Sequence, residues 1–281
     1  MESIYLPMVK ISQVRIQAIF LLLTILIATF IVLPPLLYMF CTSVDGTNLS
    51  LASYGEVLTS TLFRKTLVTT IVIAGSASIL GLLLGFVIAL HLARQPARRR
   101  IVLVALVLVP FWTSILVKCF AFTILLGREG IINSILSLIL DTKVQLPLLL
   151  NRVGVLVGLT NVLIPLAALP ILASLLAIDG TIYRAASVMG AKPARIFWTV
   201  TVPMALPGIF VAFFTIFVMS LGTFVVTARL GGPQDQMLSN LVDFYNREVL
   251  DWPTASAISV VLLAMVAVIG GPIALWRRQR G

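Results

Sequence analysis

Charge is scarce in this chain. Asp, Glu, Lys and Arg together make up 11% of its 281 residues, against about a quarter in an ordinary soluble domain. So few charged side chains cannot cover the surface of a soluble protein of this length, and a water-soluble fold is excluded. Histidine and cysteine are nearly absent, with one and two copies. Cys41 and Cys119 both sit in apolar context without ligand spacing and are read as free buried thiols, so a transition-metal centre or disulfide framework is excluded. No Gly-x-x-x-x-Gly-Lys-Ser/Thr loop occurs, so the chain cannot cradle ATP phosphates itself. His-Glu-x-x-His and Gly-x-Ser-x-Gly are missing as well, and with them metalloprotease and serine-hydrolase chemistry. By itself the chain is not expected to be an enzyme, and it is not expected to hold a cofactor or metal.

What is present is apolar length. Hydrophobic residues form 60% of the chain and mean hydropathy is +1.12. The runs reach the roughly 20 residues that a helix needs to cross a bilayer. Six spans are expected, at Ile16–Val44, Thr66–Leu90, Ile101–Leu126, Val153–Ile178, Met204–Ala228 and Thr254–Trp276. The first run is too long for a signal peptide, and Pro34–Pro35 should kink or end it near its outer end. Ile131–Leu140 is too short to cross as a helix and suits an interfacial or re-entrant segment. The expected fold is therefore an all-α membrane protein with six transmembrane helices and no separate soluble domain.

The net charge of +10 does not point to nucleic acid, because the basic residues are spread through short loops. With the N-terminus inside, Lys10, Arg15, Arg94, Arg98, Arg99, Arg100, Arg184, Lys192, Arg195, Arg277, Arg278 and Arg280 all fall on the cytoplasmic side. Nearly all the acids fall outside, from Asp45 and Glu56 to Glu248 and Asp251. This asymmetry places both termini in the cytoplasm. Residues 1–15 read as a cytoplasmic segment, 16–276 as the transmembrane domain and 277–281 as a cytoplasmic tail. Trp252 and Trp276 bracket the last span as interfacial indoles do.

The loop between the fourth and fifth spans, 179–203, carries the strongest functional signal. Asp179 is a good N-cap for a short helix over Ile182–Met189, Gly190 a stop, and Pro193 follows soon after. The small pair Ala185–Ala186 would let that helix approach another protein closely. A second helix leads from Ala194 towards Pro203. An ordinary helical loop would meet the same composition, but the spacing says more. Ala185-Ala186, then Gly190-Ala191, then Val200-x-Val202-Pro203 resembles the cytoplasmic signature of binding-protein-dependent ABC importer permeases, Glu-Ala-Ala-x-x-x-Gly followed by Ile-x-Leu-Pro. Arg184 stands where that signature has Glu.

Three further stretches resemble the spermidine/putrescine branch of those permeases: 109–118, Gly127-Arg-Glu-Gly-Ile-Ile-Asn133, and 230–242 with 251–259. The likeness runs from about Tyr54 to Trp276. It implies a type I importer-like permease and an ATPase-coupling role for Asp179, Arg184, Ala185, Ala186, Gly190, Ala191 and Pro203. It also implies a cytoplasmic ATPase dimer holding ATP and Mg, a second and related permease subunit, and a periplasmic solute-binding protein. Lipid would surround the complex.

The solute is less legible. A polycation needs acids or aromatic faces when desolvated, and none of the six spans holds an acid. They hold Lys118 instead, with Arg229 at the outer end of the fifth. Those cations suit an anionic or zwitterionic solute, such as an amino acid, opine or aminophosphonate. Equally, Lys118 could snorkel and Arg229 could be a plain loop charge. The candidate pathway residues are Phe111, Trp112, Thr113, Lys118, Thr223, Phe224 and Arg229. A secondary carrier or a channel subunit is the competing class, but a carrier would need an intramembrane acid or an inverted repeat, and neither is visible.

Overall fold

The computed structural model describes the backbone of residues 5–44 and 52–278, and the side chains of 20–44 and 53–268. The expectations for Lys10, Arg15, Asp45, Trp276, Arg277, Arg278 and Arg280 fall outside the described side chains. Among the described residues the regular structure is all helical, without strands. The helices are α1 Tyr5–Ser43, α2 Ala52–Thr59, α3 Thr61–Ala93, α4 Ala97–Trp112, α5 Ile115–Leu126, α6 Ile131–Leu140 and α7 Arg152–Leu176. They continue with α8 Gly180–Val188, α9 Pro193–Ile196, α10 Val202–Leu221, α11 Val225–Leu230, α12 Leu238–Phe244 and α13 Trp252–Arg278.

The core is made by α3, α7 and α10, which pack on one another. Lipid gives helices no hydrophobic reason to associate, so close van der Waals packing must do it, and small residues permit the approach. Gly81 and Gly85 face α7 on α3; a Cβ at Gly85 would lie 2.7 Å from the Ala167 Cβ and 3.1 Å from the Ala168 nitrogen. Gly208 on α10 is equally tight, 2.5 Å from the Ser174 Cβ and 2.7 Å from the Pro170 carbonyl oxygen. Ala74, Ala77, Ala89, Leu163 and Ile171 complete a buried seam. α1 lies outside it, packed on α13, with large side chains such as Phe20, Leu26 and Phe30 exposed along it.

Four helices are long and apolar enough to cross a membrane: Phe20–Ser43, Thr61–Ala93, Arg152–Leu176 and Pro193–Leu221. The expected third span is not one straight helix. It breaks at Thr113–Ser114, and α4 meets the following pair at 90°. Pro110 in the last turn of α4 and extended backbone at Thr113 and Ser114 (ψ 136° and 137°) end the first piece. The expected fifth span is corrected at both ends. Its helix starts in the cytoplasmic loop at Pro193 and stops at Leu221, so Thr223 to Ala228 are not part of it. Nor does the Pro34–Pro35 pair end the first helix, which continues to Ser43. The short apolar helix at Ile131–Leu140 forms with the expected bounds.

Candidate functional site

At the cytoplasmic end, α8 is closed at both termini by its own sequence. The Thr181 amide donates to Asp179 Oδ1 at 2.8 Å, which satisfies one of the open donors of the first turn. That bond holds the Asp179 carboxyl below its ordinary pKa. At the other end Gly190 has φ +77°, where a Cβ would be strained. The Ala191 amide donates to the Ala186 carbonyl at 3.1 Å and the Gly190 amide to Ser187 at 3.0 Å. This pair of bonds is the Schellman closure, which needs its left-handed residue at that point. The helix is displaced by a residue or two from the expected 182–189.

The two alanines divide between faces: Ala186 is buried and Ala185 exposed. Arg184 is exposed and, among the described residues, makes no ion pair. Val188 and Met189 are 88% and 81% exposed, an apolar end left uncovered among the described residues. Behind α8 lies a cavity of about 550 Å³ lined in part by Arg94, Leu175, Tyr183, Phe197 and Thr201. Thr201 donates to the Tyr183 hydroxyl at 3.4 Å and ties α8 to the next helix. There the backbone widens into a π turn over Phe197–Thr201, with Val202 donating to the Phe197 carbonyl. Pro203 follows at once and lacks the amide that a regular turn would use.

On the opposite side, both broken spans resume as short helices, and α5 and α11 pack together. Phe111, Trp112 and Thr113 are exposed at the first break, as are Gly222 and Phe224 at the second. The second break is anchored by Asn240, whose Nδ2 donates to the Phe224 carbonyl at 3.1 Å while its Oδ1 accepts from the Met237 amide at 3.0 Å. Ser239 donates to the Thr223 carbonyl at 3.3 Å, and the Leu238 amide donates to Thr70 on α3 at 2.8 Å. Lys118 is half-buried on α5 beside buried Cys119, and Arg229 is exposed at the end of α11.

Two anchors were not singled out from the sequence. Buried Asn133 donates to the carbonyls of Gly127 and Leu146 and accepts from the Leu146 amide, each at 3.0 Å. Arg152 pairs with Asp235 at 3.3 Å across distant parts of the chain. Asn133 and Asp235 lie within stretches that carried the family resemblance, but a polar residue in a loop gives no sign of burial before the chain folds.

Residues 81–273 match the binding-protein-dependent transport system inner membrane component family. The chain belongs to that family. As a member it is a multi-pass inner-membrane permease, a membrane subunit of an ABC transporter and not its catalytic part. It is 27% identical over 221 residues to the spermidine/putrescine transport system permease protein PotB of Escherichia coli K12, covering 78% of this chain and 79% of that protein. The Haemophilus influenzae PotB is 27% identical over 248 residues, 85% of this chain and 86% of the relative. The Mycobacterium bovis molybdenum transport system permease protein ModB is 26% identical over 217 residues, 77% and 80% of the two chains. Among solved structures, a bacterial alginate ABC transporter in complex with a pentasaccharide-bound periplasmic protein matches with TM-score 0.75 at 18% identity, covering 92% of this chain and 93% of that one. The MetNI methionine transporter matches with TM-score 0.56 at 19% identity, covering 75% and 92%. These structural likenesses establish the fold of a type I ABC importer permease for this chain.

Proposed function

We propose that this chain is one of two permease subunits of an ATP-driven, binding-protein-dependent importer of a small polar solute. The observation that carries this reading is α8, a capped helix whose exposed end offers Val188 and Met189 beside the glycine that stops it. In this proposal α8 seats in a cytoplasmic ATPase, and the second permease, a relative of this chain, presents the same helix to the second ATPase copy. ATP and Mg are bound by the ATPases. Their closure drives the α8 helices together and tips the spans from inward-open to outward-open, a two-state equilibrium biased from both faces. In this proposal α9, the π turn at Phe197–Thr201 and α10 carry that motion from α8 to the core. A periplasmic binding protein delivers solute on the outer side, near Ile131–Leu140 and 231–246. Six crossings with both termini in the cytoplasm accord with the arginine distribution, α13 supplying the last. The PotB relatives make a polyamine one candidate solute; an amino acid, opine or aminophosphonate is the other.

The test is co-purification from native membranes with mass spectrometry of what accompanies the tagged chain. An ATPase, a second permease and a periplasmic binding protein are expected. Recovery of this chain without an ATPase, where a control importer stays whole, would leave a carrier or channel subunit as the better reading.

A further inference from the structure

The cavity of about 550 Å³ behind α8 lies between the last turn of α3, the end of α7, α8 itself and the π turn before α10. Leu90, Leu176, Ile178, Ile196 and Phe197 give it apolar lining, while Arg94, Tyr183 and Ser187 bring polar groups. Among the described residues that line it there is no acid. A space of this size and mixed lining suits a small molecule or the head of a larger one.

Two of its donors lack an acceptor. Among the described residues the Arg94 guanidinium makes no ion pair, since the two ion pairs are Arg152–Asp235 and Arg247–Asp243. The Tyr183 hydroxyl oxygen accepts from Thr201, which leaves its own proton to donate. Ser187 differs, because its hydroxyl already donates to the Tyr183 carbonyl at 2.9 Å. A guanidinium and a phenol lining one cavity, with no acid beside them, are a setting for an anion.

Position selects the anion. α3 has 33 residues, about 50 Å at 1.5 Å each, against a hydrocarbon core of roughly 30 Å. Its end therefore emerges from the core, and Arg94 followed by Arg98, Arg99 and Arg100 marks the boundary. One and two turns back, Val87 and Leu83 are exposed on the helix face that carries Leu90. An exposed apolar row thus runs from the cavity into the membrane. A soluble anion leaves that row unused, whereas an acyl chain follows it.

We propose that this cavity binds an anionic phospholipid, its phosphate on Arg94 and Tyr183 and an acyl chain along Leu90, Val87 and Leu83. Basic pockets between membrane helices on the cytoplasmic side take such head groups. The lipid fills the space between α8 and the ends of α3 and α7, so the helix offered to the ATPase rests on lipid as well as on protein. From the importer reading this takes only that α8 lies on the cytoplasmic side.

For the test, the tagged chain, with whatever accompanies it from native membranes, is placed in phosphatidylcholine nanodiscs. These offer both leaflets, so the site is tested independently of the importer reading. A minor fraction of either phosphatidylglycerol or phosphatidylcholine carries a diazirine at the top of one acyl chain, and crosslinked peptides are located by mass. Label in 90–94 and 175–197 is divided by label in 20–43, where exposed apolar side chains meet either lipid. This ratio is expected to be about fivefold higher with phosphatidylglycerol, the preference that one basic side chain near an anionic head group supplies. It should fall to parity in Arg94→Gln and persist in Arg94→Lys. Arg98→Gln, outside the cavity, should leave it intact, and Ser187→Phe should lower cavity label from both probes. Equal label from the two lipids, or a preference that survives Arg94→Gln or is lost equally in Arg98→Gln, would overturn the site. Competition by sn-glycerol 3-phosphate but not by unlabelled phosphatidylglycerol would assign the cavity to a soluble phosphate and overturn the lipid. Co-purification without an ATPase would defeat the importer reading and leave this site standing; labelling without preference defeats the site alone.

Discussion

The hydroxyl of Thr227 donates to the Oδ1 of Asn240 at 2.7 Å, both residues buried. The same oxygen accepts from the Met237 amide, and the Asn240 amide group reaches back to the Phe224 carbonyl. One side chain thus stitches the loop after α11 to the point where the fifth span breaks. Asn240→Ala leaves a buried hydroxyl, an amide and a carbonyl to find other partners, at a cost of about 1–3 kcal/mol. A lower thermal midpoint of the detergent-solubilised protein is expected, with a smaller loss for Ser239→Ala, whose bond is long and partly exposed. An unchanged midpoint in N240A would show that the break is held by other contacts.

Gly85 is required by the proximity of α7 rather than by its own backbone. Gly85→Leu places a branched side chain where a single Cβ would already lie 2.7 Å from the Ala167 Cβ. Forcing α3 and α7 apart costs about 1–3 kcal/mol or more. Reduced yield of folded protein by size-exclusion profile is expected, whereas Gly75→Ala, which meets nothing within 4 Å, should be silent.

Gly190 differs, because nothing lies within 4 Å of its would-be Cβ and its demand is for φ +77°. Gly190→Ala costs about 1–2 kcal/mol of α8 closure without harming the core. Gly190→Asn should be the mildest replacement, since Asn enters the left-handed region most readily. Uptake, with membrane insertion as control, should fall in the order Gly, Asn, Ala, Leu. Equal uptake by all four would break the link between closure of α8 and transport.

The Asp179 cap has a definite pH sign. Its folded pKa lies below the ordinary carboxylate value, so its stabilisation of α8 is fully present above about pH 4 and is lost as pH falls through the lowered folded value. Hydrogen exchange of the Thr181 amide, referenced to unstructured rates at each pH, should lose protection on acidification. Asp179→Asn should keep part of that protection at low pH, because its carbonyl still accepts. Protection that is independent of pH in the parent chain would assign the cap elsewhere.

Asp235 has a side chain 8% exposed, against 49% for Arg152. Removing the arginine alone leaves a buried carboxylate with the Gly232 amide as its remaining bond at 3.3 Å. Arg152→Gln should destabilise more than the double variant Arg152→Gln/Asp235→Asn. A double variant no more stable than R152Q in thermal unfolding would mean that no uncompensated-carboxylate penalty is left behind when the arginine is removed.

Membrane residence, the helical class, the approximate spans and the two-ended closure of α8 were all legible in the sequence. Each depends on local quantities: the length of an apolar run, the residues with a free hydroxyl or carboxyl at a cap, and the one residue tolerant of positive φ. The Ala-Ala…Gly…Pro spacing was legible as a resemblance to the family's cytoplasmic signature. The breaks in the third and fifth spans could not be read that way. The runs Ile101–Leu126 and Met204–Ala228 carry no charge apart from Lys118, and mean hydropathy does not register a change of direction. Pro110 supplies a local reason for the first break, but the second is held by tertiary partners: Asn240 and Ser239 bond the carbonyls of Phe224 and Thr223, Thr70 fixes the segment that carries them, and Asn133 ties the loop after α5. Hydropathy and caps act over a few residues, whereas a broken span is affordable only where a distant part of the fold satisfies the backbone it exposes.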